Sequence, residues 1–463
     1  MTMNVLRQAG VTATIWLVGL GTLSSVAACR GAPPPPPTPP PALSASSAAA
    51  LKWVNANAAG FSLTDSMNLD RDRRALAPIV NGARVLGLSE LTEGTDEFPD
   101  IVRRTLFALA DSGFRGVAIQ GPMPEALELD HWVRTSQGDP RRIMRALGSW
   151  RWDSREMWTF MLAMRMWNEA HKDRQLGFYG FEIPTAARAV QVVTSLPDSV
   201  AGVALNQWLK RTYVCVATNE GAQWGREGRA ADSTFWNACG PATAAAADSI
   251  AALRSRYSRS SPVMPDIAFA ESMARLIRHH VNVGLRHLSR HEANAEHVLF
   301  VLDELGPGAK LLVWGGDVEM GRLTLEGRTV QTGVPLGEKL GDKYRAAAFA
   351  IGVGTIRARV PSTGRGGSGG GGGEPGFGNP RVAVPGLDTY EDVLMRANNP
   401  NFWLDMRSLP NDSAGTWLRG PRQMRLISDL YTPLVPTAFE TSLEFPKNYD
   451  AIVFARSVSP AHP

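Results

Sequence analysis

The sequence contains few cysteines and no concentrated positive charge. Only three of its 463 residues are cysteine, and a formal net charge of +4 is small for this length. There is no long run of Lys or Arg and no alternation of aromatic with basic residues, so we expect no nucleic-acid partner. With 44% hydrophobic and 20% charged residues, the composition is that of a globular protein with a sizeable core.

The N-terminus lacks a long apolar run but has the features of an export signal. Residues 1–28 carry a positive charge at Arg7, an apolar stretch from Ala13 to Val26, and small residues at their end. The apolar stretch is too short for a comfortable membrane-spanning helix, which needs about 20 apolar residues. We therefore expect residues 1–28 to be a signal peptide.

The residues that follow resemble the start of a lipoprotein. Val26-Ala27-Ala28-Cys29 resembles a bacterial lipobox, so we expect Cys29 to be lipidated, with a plain signal peptide as the alternative. Residues 29–50 are rich in Pro and Ala and would form a stiff spacer before a domain that starts at Leu51. The predicted location is outside the cytoplasm, anchored to a membrane and facing the periplasm or the cell surface.

If the protein is exported, the other two cysteines can form a disulfide. Cys215 and Cys239 are 24 residues apart, and an oxidising compartment allows such a pair to persist as a disulfide. The closed loop would contribute about 3 kcal/mol to stability in the chain-entropy model. Two buried free thiols are the alternative.

Apolar runs and helical periodicity alternate along residues 51–463. Strands are predicted at Arg84–Leu88, Gly116–Ile119, Leu176–Phe181, Lys310–Trp314, Tyr344–Ile351 and Ala451–Ala455. A helix predicted at Pro99–Ser112 joins the first two strands in a crossover, which implies a parallel pair. The predicted fold is therefore α/β, a single large domain in which helices flank a mostly parallel β-sheet.

Two segments depart from this alternation. Residues 186–290 are Ala-rich with helical periodicity and are predicted to form an additional helical region. Residues 362–380 are dominated by glycine and are predicted to form a flexible loop. This loop does not match a phosphate-binding loop, because no Gly-Lys-Ser/Thr follows it.

Polar side chains follow four of the predicted strands. Glu90 and Glu93 follow the first strand, Gln120 the second, Glu182 the third, and Asp317 with Glu319 the fourth. Because the carboxyl ends of parallel strands meet at one edge of a sheet, these groups should converge in a cleft. Clustered carboxylates repel one another, which raises the pKa of at least one and leaves it as a proton donor. The same carboxylates could instead bind a divalent cation such as Ca²⁺ or Mg²⁺.

Two familiar hydrolytic sites are not indicated. None of the eight histidines lies in the turns after these four strands, and no His-x-x-x-His pair lies on a predicted helix, which argues against zinc. Ser89 does not lie in the Gly-x-Ser-x-Gly pattern of a nucleophile elbow. A serine-hydrolase triad is therefore not expected.

Six short segments resemble motifs of the erythromycin esterase family. Residues 88–98 resemble its Gly-Glu-Ala-Thr-His-Gly-Thr-x-Glu-Phe signature, and residues 290–298 resemble its Arg-Asp-x-x-Met-Ala helix. Further similarities occur, in the order of the family, at residues 113–126, 152–168, 178–182 and 313–319. The resemblance implies an α/β fold and hydrolysis of a macrolide lactone or another ester by activated water.

The histidines of the family motifs are replaced in this chain. Glu93 stands where the signature has its His, and Gln120 stands where the family has a Glu. In the turn that resembles Trp-Ala-His-Asn-x-His, Gly316, Asp317 and Glu319 replace the first His, the Asn and the second His. Glu90, Glu97 and Arg290 keep the residue type of the family. Since a neutral imidazole is the usual base near pH 7, a carboxylate in its place needs a raised pKa.

Three functions are compatible with these residues. The first is an exported ester or lactone hydrolase without a cofactor, in which Glu90 and Glu93 act as acid and base, Arg290 stabilises developing negative charge and Glu319 assists. Its predicted substrate contacts are Glu97, Gln120, Trp152, Glu182 and Asp317, although Trp152 lies in a Met- and Trp-rich segment that is also typical of a core. The second is a lapsed relative that binds a ligand or partner without turnover. The third is a divalent-cation site built from the same carboxylates.

Overall fold

The computed structural model describes residues 41–63, 68–182, 186–217, 233–258, 260–325, 328–329, 331–361 and 376–463. The predicted signal peptide and the predicted lipidation site, Cys29, lie outside the described residues. Leu43–Pro463 form one compact unit. No helix in the described part of the chain is both long enough and apolar enough to cross a membrane.

The unit contains sixteen helices and fifteen strands within these described ranges. The helices are α1 Ala45–Asn57, α2 Leu69–Val80, α3 Glu97–Leu109, α4 Met123–Thr135, α5 Pro140–Ala146, α6 Arg155–Ala170, α7 Ala187–Thr194, α8 Asp198–Ala201, α9 Val203–Ala217, α10 Ser233–Arg254, α11 Met264–Gly284, α12 Arg290–Glu304, α13 Gly333–Leu340, α14 Tyr390–Met395, α15 Ser413–Arg419 and α16 Phe445–Asn448. The strands are β1 Ala59–Gly60, β2 Val85–Glu90, β3 Phe114–Pro122, β4 Gly177–Glu182, β5 Lys310–Gly316, β6 Thr324–Leu325, β7 Arg328–Thr329, β8 Tyr344–Thr355, β9 Ala358–Val360, β10 Gly376–Gly378, β11 Arg381–Val382, β12 Asn401–Asp405, β13 Arg422–Arg425, β14 Glu440–Leu443 and β15 Ala451–Val458.

One nine-stranded sheet organises the unit. Its strand order is β1-β12-β15-β8-β2-β5-β3-β4, with β11 paired to β8. The six strands from β15 to β4 run parallel to their neighbours, whereas β1, β12 and β11 pair antiparallel. The predicted α/β fold with a mostly parallel sheet is confirmed.

Side chains of the central strands alternate between two hydrophobic cores. On β2, Val85 packs into the core that also holds residues of α7 and α9 to α12, while Leu86 and Leu88 pack into the core that holds residues of α3 and α6. The alternation follows from the two-residue repeat of a strand. Helices therefore cover both faces, which is why the strands read as nearly continuous apolar runs.

The crossover between β2 and β3 follows the predicted pattern. α3 continues into a short 3₁₀ turn at Ala110–Ser112 and ends at Gly113, whose φ of 96° is left-handed. Glycine adopts this conformation without the steric cost that a Cβ atom imposes. The crossover places the residues after β2 at the carboxyl edge of the sheet.

The folded unit begins before the predicted boundary at Leu51. α1 starts at Ala45, and Ser44 caps it by accepting a hydrogen bond from the backbone N–H of Ser47. The Ser47 hydroxyl is buried and donates to Asp388. The last residues of the predicted 29–50 spacer are thus helical. Their small side chains allow the helix to pack closely.

The predicted helical region at 186–290 contains α7 to α11, which pack against one face of the sheet. The structure joins Cys215 on α9 to Cys239 on α10 through a disulfide, with their Cα atoms 6.0 Å apart. The predicted loop at 362–380 extends too far, because β10 pairs with β9 from Gly376 onward. Residues 362–375 lie outside the described residues.

Candidate active site

Four parallel strands place their polar ends at one edge of the sheet. Glu90 ends β2, and its backbone is in register with Gly316 at the end of β5. Gln120 lies near the end of β3, and Glu182 ends β4. Side-chain contacts join these strand ends into one cluster.

Arg151, which no sequence motif marks, holds the first two glutamates together. Its Nη2 donates to Glu90 Oε2 at 3.1 Å, and its Nη1 lies 3.3 Å from Glu93 Oε1. Trp314 Nε1 also donates to Glu90 Oε2, at 3.3 Å. Glu90 and Glu93 are only 3% and 5% exposed, so water screens the attraction to Arg151 very little but also solvates the charged carboxylates very little.

Burial raises the pKa of both glutamates. For Glu93, burial outweighs the opposing charge of Arg151, the charges of Glu90, Asp317 and Asp429 add to it, and the pKa is raised to about 7. For Glu90, burial also raises the pKa, against Arg151 and the hydrogen bond from Trp314. A carboxyl group with a pKa near 7 can donate or accept a proton at neutral pH.

Gly316 leaves the space that this arrangement needs. A Cβ atom at position 316 would overlap both Glu93 Oε1 and Arg151 Nη1. The motif that residues 313–319 resemble has a histidine at this position, and a side chain here would overlap Glu93 and Arg151 in the positions that they occupy in this structure. The loss of the histidine side chain at 316 and the presence of the Arg151–Glu93 pair are therefore sterically linked.

Gln120 and Arg290 connect Glu182 to the cluster. Gln120 Nε2 donates to Glu182 Oε1 at 3.1 Å, while its Oε1 accepts from the Gly316 backbone N–H at 2.7 Å. Arg290, the first residue of α12, donates to the same Glu182 oxygen. The Arg290 side chain is 54% exposed, so it is a cation that a molecule from solvent can reach.

A histidine does reach the cluster, from a helix rather than from a strand end. His291 Nδ1 lies 3.1 Å from Glu319 Oε1, and the Thr332 hydroxyl donates to the same oxygen. Glu319 is buried, whereas His291 is partly exposed. None of the turns after the four strands contains a histidine, and 28 residues of chain separate His291 from Glu319. The one available signal was that residue 291 is His where the resembled helix motif has Asp.

Asp317 sits in a strained turn after β5. Its φ of 48° is left-handed, which is uncommon for a residue with a side chain. Burial raises its pKa, and Glu319 adds to this while Arg151 opposes it. Its Oδ1 is buried without a hydrogen-bond partner among the described residues. That oxygen is an acceptor still available to a ligand or to water.

Trp152, a predicted substrate contact, lies in the core. Trp152 is 1% exposed, meets Trp314 edge-on at 4.8 Å between ring centroids, and donates to the Gln120 backbone oxygen at 3.2 Å. It therefore supports the floor of the cluster from within the core. This corrects its assignment as a substrate contact.

Glu97 belongs to a different surface. It accepts from the Ser459 backbone N–H at 2.8 Å, and burial raises its pKa to about 7. It lines a cavity of about 550 Å³ whose walls include none of the strand-end carboxylates. Glu97 is thus not brought together with Glu90 and Glu93, in contrast to the prediction from the sequence.

The carboxylates at the strand ends already have a cation among them. The guanidinium of Arg151 contacts both Glu90 and Glu93 and places one positive charge between them. Among the described residues, donor atoms grouped as in a metal site occur elsewhere, on Asp96, Glu156 and His462. The geometry of the strand-end cluster therefore fits proton transfer better than cation binding.

A model of the erythromycin esterase family matches residues 109–458. In structure, the chain is similar to a Bacillus cereus protein at a TM-score of 0.72, with 18% identity over 90% of this chain and 98% of that one.

Two further solved structures are similar. One is a succinoglycan biosynthesis protein, with a TM-score of 0.72 and 15% identity over 91% of this chain and 100% of that one. The other is a mutant of the erythromycin esterase EreC in its open conformation, with a TM-score of 0.56 and 15% identity over 83% and 93%. These likenesses show a shared fold. Because the family match spans well over half of the chain, the protein belongs to the erythromycin esterase family.

Proposed function

We propose that the protein hydrolyses an ester or lactone with water, using Glu93 as a proton donor in the strand-end cluster. Membership of the erythromycin esterase family supports a hydrolase that acts on a small molecule, with a macrolide lactone as one candidate substrate. The observation that carries the proposal is the buried Glu93 carboxyl, which takes the place of the family histidine and whose pKa is about 7.

The proposed chemistry needs one acid and one base. A base takes a proton from water as the water oxygen bonds to the substrate carbonyl carbon; the sequence predicts Glu90 for this role. When the tetrahedral intermediate collapses, protonated Glu93 gives its proton to the leaving oxygen as the C–O bond breaks. Arg290, at the positive end of α12, would stabilise the oxyanion.

A test compares hydrolysis of a panel of esters and lactones by the wild type and by Glu93→Gln. We expect kcat/KM to fall by about 100-fold or more, the usual contribution of a positioned proton donor. Glu97→Gln is a matched control, because Glu97 also has a pKa raised to about 7 but lines the separate cavity. Equal activity of Glu93→Gln and the wild type would refute the assignment.

Binding without turnover is a second candidate, supported by the double ion pair of Arg151. Since Arg151 pairs with both Glu90 and Glu93, the cluster could serve only to shape a ligand cleft. In that case Glu90→Gln would alter ligand affinity, measured by calorimetry, while the wild type would show no turnover on any ester of the panel.

We also propose that the protein is an exported lipoprotein held to a membrane through Cys29. The sequence before Cys29 supports this, and so does the disulfide between Cys215 and Cys239, which oxidising compartments favour. Labelling cells with a radioactive fatty acid should mark the wild type and not Cys29→Ser. Equal labelling of the two proteins would contradict the proposal.

A further inference from the structure

We propose that His291 is the base that activates water, oriented by Glu319. The inference rests on the proposed hydrolysis and assigns the base within it. His291 replaces Glu90 in that role because the Glu90 carboxyl is less accessible. Glu90 is 3% exposed, and its Oε2 is held by both Arg151 and Trp314, whereas the His291 side chain is 26% exposed.

Glu319 is fixed well enough to orient an imidazole. Its carboxylate accepts from the Thr332 hydroxyl. Its backbone N–H donates to the Gly316 oxygen at 3.1 Å, and its own backbone oxygen accepts from the Gly333 N–H at 3.0 Å. With Glu319 held at both backbone and side chain, the 3.1 Å contact to His291 Nδ1 places the imidazole proton on Nδ1. The lone pair of Nε2 is then free to accept a proton.

The surroundings of His291 suit this role. His291 and Arg290 are the first two residues of α12, whose N-terminus carries a partial positive charge. Arg290 is held by Glu182, and the charge of Glu319 also acts on Asp317. A substrate carbonyl placed at this helix end would meet His291 beside a cation and a helix dipole, which favour an oxyanion.

The family motifs do not mark residue 291 as a histidine position. The motifs that resemble residues 290–298 and 313–319 have Asp at position 291 and His at position 319. This chain has His291 and Glu319, and the structure shows that the two side chains are in contact. Relative to those motifs, the imidazole and the carboxylate stand at each other's positions, and one hydrogen bond joins them in this chain. A pair of these groups is preserved although each histidine of the turn is lost.

The proton balance closes with His291 and Glu93 together. Nε2 of neutral His291 takes a proton from water as the new C–O bond forms, and Glu319 stabilises the imidazolium. Protonated Glu93 gives a proton to the leaving oxygen as the old C–O bond breaks. The imidazolium then returns its proton to Glu93 through solvent, so the net reaction consumes one water and releases an acid and an alcohol.

The kinetic test uses His291→Gln with His287→Gln as the matched control, since His287 is an exposed histidine in the turn before α12. We expect His291→Gln to lose about 100-fold or more in kcat/KM and His287→Gln to lose none. If Glu93→Gln is impaired while His291→Gln is as active as the wild type, the inference is overturned and the proposed function survives.

The exchange of partners can be tested by reversing it. Glu319→His and His291→Asp should each lose activity, and the double variant should recover at least tenfold over the weaker single variant, because it restores an imidazole–carboxylate pair. A double variant no more active than the single ones would overturn the exchange.

A measurement that does not depend on turnover separates the assignment of His291 from the proposed hydrolysis. In ¹⁵N-histidine NMR spectra, the His291 imidazole should be protonated at Nδ1, and Glu319→Gln should change its tautomer signals. A proton on Nε2 in the neutral wild type would overturn the inference even if hydrolysis is found. If the wild type hydrolyses nothing on the panel, the proposed function fails and the catalytic role of His291 fails with it.

Discussion

At the scale of single residues, the site depends on coupled replacements. Glu93 and Gly316 both stand where the resembled motifs have histidine, and Arg151 occupies the space that opens between them. Sequence reasoning found Glu93 and Gly316, because motifs mark their positions. It missed Arg151, which lies 61 residues from Glu90 in the chain and has no motif of its own.

Gly316→Ala tests this coupling. The added methyl group overlaps Glu93 and Arg151, so we expect a loss of about 1–3 kcal/mol in the free energy of unfolding, typical of overpacking. In the double variant Gly316→Ala/Glu93→Ala the overlap is partly removed. The double variant should therefore lose less unfolding free energy than the two single variants lose in sum. Gly376→Ala, where nothing lies within 4 Å of the new Cβ, should be neutral in the same urea titrations. Strict additivity in the double variant would contradict the coupling.

The raised pKa of Glu93 also predicts how stability depends on pH. Between its ordinary value of 4.5 and about 7, folded Glu93 keeps a proton that the unfolded chain has released. The free energy of unfolding should therefore fall as pH rises through this window, by about 3 kcal/mol from this group. Urea unfolding at pH 5 and pH 8 measures the change. It should be smaller in Glu93→Gln, and an identical pH dependence in both proteins would contradict the assigned pKa.

At the scale of elements, α12 carries the part of the site that the strand ends do not supply. This helix begins at Arg290. The capping box of Ser289 and Glu292 extends the helix by the turn that holds Arg290 and His291. The first turn of α12 thus carries Arg290 to Glu182 and His291 to Glu319.

Ser289→Ala should therefore affect activity as well as stability. Loss of the cap costs about 1 kcal/mol, and fraying of the first turn should displace Arg290 and His291 and lower kcat/KM. Asp412→Ala removes the cap of α15 and should cost similar stability without loss of activity. Thermal unfolding and ester hydrolysis measured on both variants provide the comparison. Equal activity of both would show that the first turn of α12 does not position the site.

At the scale of the whole molecule, much of the architecture followed from the sequence. The six parallel strands were predicted because each is a short apolar run buried on both faces. The antiparallel strand β12, which lies between β1 and β15, was missed, because Asn401–Asp405 is short and bounded by polar residues. The contacts that build the site join residues far apart in the chain, such as His291 with Glu319, and spacing alone cannot predict them.

The most direct test of the account is the pH dependence of kcat/KM for an ester substrate, in the wild type and in Glu93→Gln. If protonated Glu93 is the proton donor, its pKa of about 7 predicts that the wild-type rate falls as pH rises through about 7. This descending limb should be absent from the much slower Glu93→Gln variant. A wild-type rate that stays level or keeps rising between pH 6 and pH 9, or the same limb in Glu93→Gln, would contradict the central claim.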